Sequence, residues 1–460
     1  NGEIYNHMAL RGEINLDKRN HKWIGSSDTE TLLVAITIWG VKETLKKSRG
    51  MFAFSLWDKK SKNLILGRDR MGEKPLYYGW NNEFFLFGSE LKSLKSHPGF
   101  DGEIDKESLS LFLKYSYVPC PKSIYKDINK LEQGTFITLS LESKTIEVEE
   151  FWSFKKNING LHNTNARSSS KALVKDLDII LNKAVEEQMI SDVPLGAFLS
   201  GGIDSSAIVS LMQSQSIKPV KTFTIGFSEK DYDESIYASE TAKYLGTEHT
   251  DLQVTSKELL SVVPKLAQIY DEPFADSSQI PTYLLSKLAS EDVKVSLSGD
   301  GGDEIFSGYN RYRFASNIWP KVSIIPIQLR KKIAKGLMSK TPKELEKISS
   351  FIPLFNDKHN NLSQKLLKAA KVLSSENIED YYDNLVSQID DPSYLIKGNK
   401  NKYKHNNKFL DDKNKLSLTE SLMLQDSITY LPDDILVKLD RAAMSVSLET
   451  RVPFLDPRVI

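Results

Sequence analysis

Between Leu195 and Ser206 an apolar run, Leu195-Gly196-Ala197-Phe198-Leu199, passes directly into Ser200-Gly201-Gly202-Ile203-Asp204-Ser205-Ser206. A buried strand that feeds a glycine pair and then a helix leaves few folds open. The periodicity predicts a strand over 195–199 and the body of a helix over 207–212. Glycines let backbone N–H groups approach a phosphate without a Cβ in the way. The helix N-terminus behind them adds partial positive charge. Serine hydroxyls can donate to phosphate oxygens, and Asp204 can hold a Mg²⁺ bound to them. An isolated Gly-Gly is more simply a turn with a Ser or Asp helix cap. The strand before it, the helix after it and the full Ser-Gly-Gly-x-Asp-Ser-Ser string favour the phosphate reading. No Gly-x4-Gly-Lys-Ser/Thr string occurs, which disfavours a P-loop kinase or GTPase. Met338-Ser339-Lys340 has no His-x-Gly-His beside it and is set aside as coincidence.

A second loop has the same form. The strand expected at Val293–Leu297 delivers Ser298-Gly299-Asp300-Gly301-Gly302-Asp303-Glu304. From Ala172 onward strands and helices alternate, with a further strand expected at Val220–Phe227. That rhythm predicts a parallel sheet with helices on both faces. Ligands in such sheets bind beyond the carboxyl ends of the strands, so the two loops can face one nucleotide from two sides. Asp300, Asp303 and Glu304 could form a solvated acidic turn. Beside a phosphate site, burying them together calls for a cation, and Mg²⁺ is expected.

Before this region the pattern differs. Residues 1–155 hold short β-like runs, such as 51–57, 64–66 and 84–87, with helices expected at 28–39 and 106–113. Ser27 and Glu30 stand at capping-box spacing. This half reads as an α+β layered domain. Residues 156–170 are polar, rich in Asn and Ser, and form the expected linker to a second domain at 171–460. Beyond Pro320 the chain reads as mostly helical. Lys plus Arg and Asp plus Glu each number 61, so no net field draws nucleic acid or anionic lipid. One cysteine, Cys120, excludes an intrachain disulfide and any multi-cysteine zinc site, and fits a reducing cytoplasmic setting. No apolar run reaches bilayer length, so neither nucleic acid nor membrane is an expected partner. The chain starts inside a motif without Met and stops soon after residues 451–456. It is therefore expected to be a fragment missing sequence at both ends.

At this point the chain resembles the asparagine synthetase B family (glutamine-hydrolysing asparagine synthase). The resemblance rests on Asn1-Gly2-Glu3-Ile4-Tyr5-Asn6, Ser27-Asp28-Thr29-Glu30, residues 49–53, residues 67–78, both glycine loops, and Arg441 through Asp456. It implies an Ntn-hydrolase-type α+β sandwich, incomplete here, that releases ammonia from glutamine. An α/β ATP-pyrophosphatase (PP-loop, adenine nucleotide α-hydrolase-like) domain with a helical C-terminal layer would follow. There ATP and aspartate would give β-aspartyl-AMP and pyrophosphate, and ammonia would displace AMP. By position, Leu199, Ser200, Gly201, Gly202, Ser205, Ser206, Ile225, Ser298 and Gly299 would contact ATP. Asp204 and Asp303 would hold Mg²⁺. Asp300 stands where many members have Glu, a site linked to forming the acyl-adenylate. Arg441 occupies the place where some members use Lys to steady transition-state charge, and Lys438 is the alternative donor on the same helix face. The segment 271–278 would line the acceptor side.

On the glutaminase side the resemblance gives Asn1 and Gly2 the oxyanion hole, and Glu3 and Asp28 the glutamine amino group. The plainer readings are a tight turn at Asn1-Gly2 and a first-turn acid at Asp28. The family nucleophile, an N-terminal Cys, and the arginine for the glutamine carboxylate have no counterpart here. Cys120, between Pro119 and Pro121, is given no chemistry. The chain as it stands is expected not to hydrolyse glutamine, and its intact parent to do so. Two other readings keep the loops: an amidotransferase acting on another carboxylate, such as a uronic acid in surface-polysaccharide assembly, or a catalytically dead scaffold. Self-association as a homodimer is left open.

Overall fold

The computed structural model describes residues 1–16, 21–161, 169–227, 233–349, 362–397 and 416–460. Its strands are β1 Gly2–Ile4, β2 Gly50–Asp58, β3 Asn63–Arg68, β4 Tyr77–Asn81, β5 Phe84–Gly88, β6 Ile128–Lys130, β7 Thr135–Ser140, β8 Ile146–Glu150, β9 Leu195–Phe198, β10 Lys221–Phe227, β11 Glu248–Val254, β12 Val295–Leu297 and β13 Glu449–Arg451.

The first eight strands make two antiparallel sheets, ordered β1-β2-β3-β7-β8 and β5-β4-β6. Ile4, Phe52, Phe136 and Phe151 bury one face of the larger sheet, and Ala53, Leu66, Leu76 and Ile137 form a second cluster. The helix expected at 28–39 spans Asp28–Trp39, but its start is not a capping box. Ser27 Oγ accepts from Thr29 N, whereas Glu30 turns back onto the N–H groups of Ile24 and Gly25. Two donors from the preceding loop satisfy the carboxylate better than the one N-cap amide would. The expected linker begins as helix, because Phe154–Leu161 continues from the packed Trp152–Phe154 pair. Phe154 itself is buried in the core of the second half. Residues 162–168 lie outside the described residues, and Ser170 opens the helix Ser170–Gln188.

The remaining strands form one fully parallel sheet, ordered β11-β10-β9-β12-β13. Strand order runs outward in both directions from β9, so the switch point lies between β9 and β12. Their register pairs Ala197 with Leu297, so both strands end side by side. Among the described residues beyond Pro320 the chain is helical as expected, with one departure. Glu449–Arg451 adds β13 to the edge of β12. Three polar residues carry no strand periodicity. They pair because β12 offers an open edge that the helix Leu436–Met444 brings them to. Among the described residues no helix is long and apolar enough to cross a membrane.

The two halves share buried apolar and polar surface. Met71 packs with Leu424, Leu431 and Leu439, and Leu111 and Tyr115 pack near Phe274 and Tyr430. Lys74 Nζ pairs with Asp440 at 2.9 Å, and Lys130 Nζ with Glu272 at 2.7 Å, all four side chains being buried.

Candidate functional site

The sheet delivers both glycine loops to one place. Leu199, buried, donates its N–H to Phe223 O and ends the ladder between β9 and β10. Ser200, Gly201 and Gly202 then form the turn before the helix Ile203–Gln215. Ser200 and Ser205 hydroxyls lie 3.0 Å apart, and Ser205 Oγ also accepts from Ser200 N. Gly202 N donates to Ser200 Oγ, and Ser206 N to Gly202 O. Gly201 has φ +77°, and a Cβ there would come within 2.7 Å of Ala238 N. Only glycine serves at that position.

The second loop meets the first directly. A Cβ on Gly299 would lie 2.7 Å from Ser205 N, and one on Gly302 would lie 2.6 Å from the Asp204 carboxyl carbon. Ser298, buried, is anchored by N–H donation to Arg451 O of β13 and donates Oγ–H to Asp300 at 2.5 Å. Asp303 and Glu304 stand in the first turn of the helix Gly302–Phe306.

The electrostatics follow from this crowding. Burial raises the Asp204 carboxyl above its ordinary range, and the charges of Asp303 and Asp300 raise it further. Burial also raises Asp303, against the lowering influence of Arg311. Neither Asp204 nor Asp303 accepts a side-chain hydrogen bond among the described residues. Among those residues no group of three His, Cys, Asp or Glu side chains could hold a metal on its own. Two facing carboxylates that repel one another, beside a glycine cradle, suit Mg²⁺, which takes one or two carboxylates and completes its shell with water and phosphate oxygens. Ile225 lies half-buried in β10, on the strand next to Leu199.

Some residues near this site were not singled out from the sequence. Arg311 pairs with buried Asp426 at 2.7 Å and lies 4.0 Å over the Tyr309 ring. Glu304, buried, is pushed up to about 7, mainly by desolvation, with Tyr309 OH donating to it. Lys438 and Arg441 lie on one helix but face different ways. Lys438 Nζ reaches Ser278 Oγ at 3.4 Å, on the segment expected to line the acceptor. Arg441 turns to the first half, donating to Ser89 O at 2.7 Å, pairing with Glu90 at 3.3 Å and lying over the Tyr77 ring. The expectation that Arg441 faces developing phosphate charge has no support in that orientation, because its guanidinium is occupied at the junction of the halves.

The glutamine-side residues come together at β1. Gly2 takes φ +107°, and a Cβ would collide with the Met51 carbonyl of β2, so Asn1-Gly2 opens a strand and is not a tight turn. Asn1 Nδ2 donates to Ser89 Oγ. Glu3 is pushed up to about 7 by burial first and by the Asp28 charge second. Asp28 Oδ2 accepts from Ile4 N, which ties the helix start to the strand. Cys120 sits at the junction with its N–H on Asp433 Oδ2, and burial raises its thiol well above the usual range, against nucleophilic use.

Comparison with known proteins matches residues 176–460 to the asparagine synthase family model and residues 1–152 to the glutamine amidotransferase domain model. The asparagine synthetase (glutamine-hydrolysing) 1 of Bacillus subtilis strain 168 is 34% identical over 461 residues, covering 99% of this chain and 67% of its own length. A Methanocaldococcus jannaschii relative, provisionally given the same enzyme name, is 33% identical over 463 residues, covering 99% of this chain and 82% of its own length. Among solved structures, an allosteric regulatory enzyme of purine biosynthesis aligns over 56% of the chain at TM-score 0.26 and 15% identity, too weak a likeness to bear on the fold.

Proposed function

The chain belongs to the glutamine-hydrolysing asparagine synthetase family, and from that membership we propose how its residues share one ATP-dependent, amide-forming reaction. The second half binds ATP between its two glycine loops and transfers AMP to the side-chain carboxylate of aspartate, releasing pyrophosphate. Ammonia then displaces AMP. The observation that carries this reading is the meeting of the loops: Gly299 against Ser205, and Gly302 against Asp204.

Leu199, Ile225, Ser298 and Gly299 surround the adenosine side, while Ser200, Gly201, Gly202, Ser205 and Ser206 offer N–H and O–H donors to the phosphates. Asp204 and Asp303 would hold Mg²⁺, which supplies charge neutralisation at the leaving pyrophosphate. Asp300, oriented by Ser298 Oγ, would assist formation of the acyl-adenylate. Lys438 takes the part of the charge donor nearest the acceptor, because Arg441 is engaged at Ser89 and Glu90. The first half has an Ntn-type role: Asn1 and Gly2 form the oxyanion side, and Glu3 with Asp28 receive the glutamine ammonium. Burial first and the Asp28 charge second raise Glu3, and the two acids together suit a cation.

The test is pyrophosphate release with ATP, Mg²⁺ and ammonium as nitrogen donor, scanned over carboxylates. Release that depends on aspartate is expected. Release only with a uronic acid or another carboxylate would replace the acceptor assignment, and none with any acceptor would leave a scaffold.

A further inference from the structure

Asp426, in the helix Leu418–Ile428, is fully buried and fully matched. Its Oδ2 receives Arg311 Nε at 2.9 Å and Tyr312 OH at 2.5 Å, and its Oδ1 receives Tyr382 OH at 2.6 Å. Arg311 Nη2 closes an ion pair on the same Oδ2 at 2.7 Å. These bonds draw together three helices, Asn310–Ser323, Ile378–Val386 and Leu418–Ile428. A carboxylate neutralised in this way can serve packing alone, and Tyr312, Tyr382 and Leu422 do lie in one apolar cluster. Its place in the chain ties it to the nucleotide site as well.

Arg311 is held in the first turn of Asn310–Ser323, three residues after the turn that ends the acid loop. The helix Gly302–Phe306, which carries Asp303, is too short to hold its own direction. It stops at Ser307, left-handed with φ +61°, and the N–H groups of Ser307 and Gly308 both donate to Asp303 O. The Asp303 carboxylate packs on the same turn. A Cβ on Gly308 would collide with Asp303 Oδ1, so side chain and turn shift together. Tyr309, between turn and helix, donates its OH to Glu304, and the Arg311 guanidinium lies 4.0 Å from the centre of its ring. Arg311 therefore reaches back to the acid loop by two routes, the turn and the Tyr309 ring, and its charge acts on Asp303.

We propose that Asp426 and Arg311 are positioning residues for Asp303. Asp426 fixes Arg311, Arg311 fixes the start of its helix and the Ser307–Gly308 turn, and the turn aims the Asp303 carboxylate. Neither residue touches the nucleotide in this role. This rests on the reading of Asp204 and Asp303 as the Mg²⁺ pair, and it adds the residues that hold one of them in place. Carboxylates that ligate a metal depend on such outer partners for their affinity.

The experiment uses the full chain and Mn²⁺, a paramagnetic probe for the Mg²⁺ site, with a non-hydrolysable ATP analogue. Free Mn²⁺ is read by electron paramagnetic resonance. Arg311→Lys keeps a cation beside Asp426 and loses the fork. Asp426→Asn, which keeps the shape of the hub, serves where Arg311→Lys fails to fold. Gly308→Ala leaves the hub intact and presses on Asp303 directly. Each should weaken Mn²⁺ binding about ten- to a hundredfold, and leave binding of the analogue without metal within about twofold. In pyrophosphate release, KM for Mg·ATP should rise while KM for the acceptor carboxylate holds. Tyr382→Phe takes one hydroxyl from Asp426 Oδ1 and leaves Arg311 in place. It should lower the melting temperature and keep Mn²⁺ affinity within about twofold. Unchanged Mn²⁺ affinity in either the hub variant or Gly308→Ala, or an equal loss in Tyr382→Phe, would overturn the positioning role and leave the hub to packing alone. Asp204→Asn and Asp303→Asn decide the premise. Unchanged Mn²⁺ binding in both would overturn the metal reading, and this role with it.

Discussion

The junction between the two halves and the junction between the two glycine loops are both crowded with charge, and they treat it oppositely. At the junction of the halves, buried charges are matched. Lys130 pairs with Glu272, which also accepts from Ile124 N and Tyr77 OH, and Lys74 pairs with Asp440. Arg68 donates to three carbonyls, of Lys74, Leu131 and Gly72. Where the loops meet, Asp204, Asp300 and Asp303 repel one another and form no ion pair among the described residues, and burial raises Asp204 and Asp303 alike. Matched buried charge holds an interface in register, whereas unmatched charge waits for a ligand.

The largest effect should come from removing one unmatched carboxylate. Asp204→Asn should lower pyrophosphate release about 10³-fold, the scale on which single electrostatic groups act in catalysis. Its melting temperature should hold or rise, since a repulsion is lost. Unchanged turnover would break the contrast, because Asp204 would then be ordinary surface.

On the matched side, Lys130→Met leaves Glu272 buried without its cation. The expected cost is about 3–5 kcal/mol of stability, read by denaturant unfolding. Adding Glu272→Leu should recover most of it. Failure of the pair to recover would mean that the interface depends on more than charge matching.

The smallest effect is a pH dependence. Glu304 has its folded pKa raised to about 7 against 4.5, so the folded state holds its proton more tightly. Below pH 4.5 this raised pKa costs no stability. Between 4.5 and 7 the unfolded chain ionises first and stability falls, levelling above 7. Glu304→Gln should therefore match wild type in melting temperature at pH 4 and exceed it at pH 8, measured without Mg²⁺ or nucleotide. A difference of the opposite sign would show that the Tyr309 hydrogen bond to ionised Glu304 outweighs burial and the charges of Asp426 and Asp300.

The two glycine loops could be read locally, because they depend on short-range geometry. Ser200 to Ser206 and Ser298 to Glu304 must be glycine-rich where strand turns into helix, and that constraint is written in consecutive residues. The glutamine-side residues came from the family resemblance alone; what the structure adds there is that Gly2 has to be glycine where β2 crosses it. Other features were hidden. Glu30 was read as capping Ser27, yet it serves the preceding loop, since spacing alone cannot say which amides are nearer. Strand β13 has no periodicity of its own and exists because β12 leaves an edge open. Arg441 and Lys438, three residues apart, looked interchangeable along the chain. Helix rotation turns one to Ser89 and the other to Ser278.

By itself, then, the sequence carried a resemblance to the family in its motifs, and it determined the parallel sheet and the two loops through local periodicity and the places where glycine is obligatory. The tertiary structure alone decided which charges are neutralised and which are left free. Pairing and burial join residues far apart in the chain, such as Lys130 with Glu272 and Lys438 with Ser278, and no local pattern records that distance.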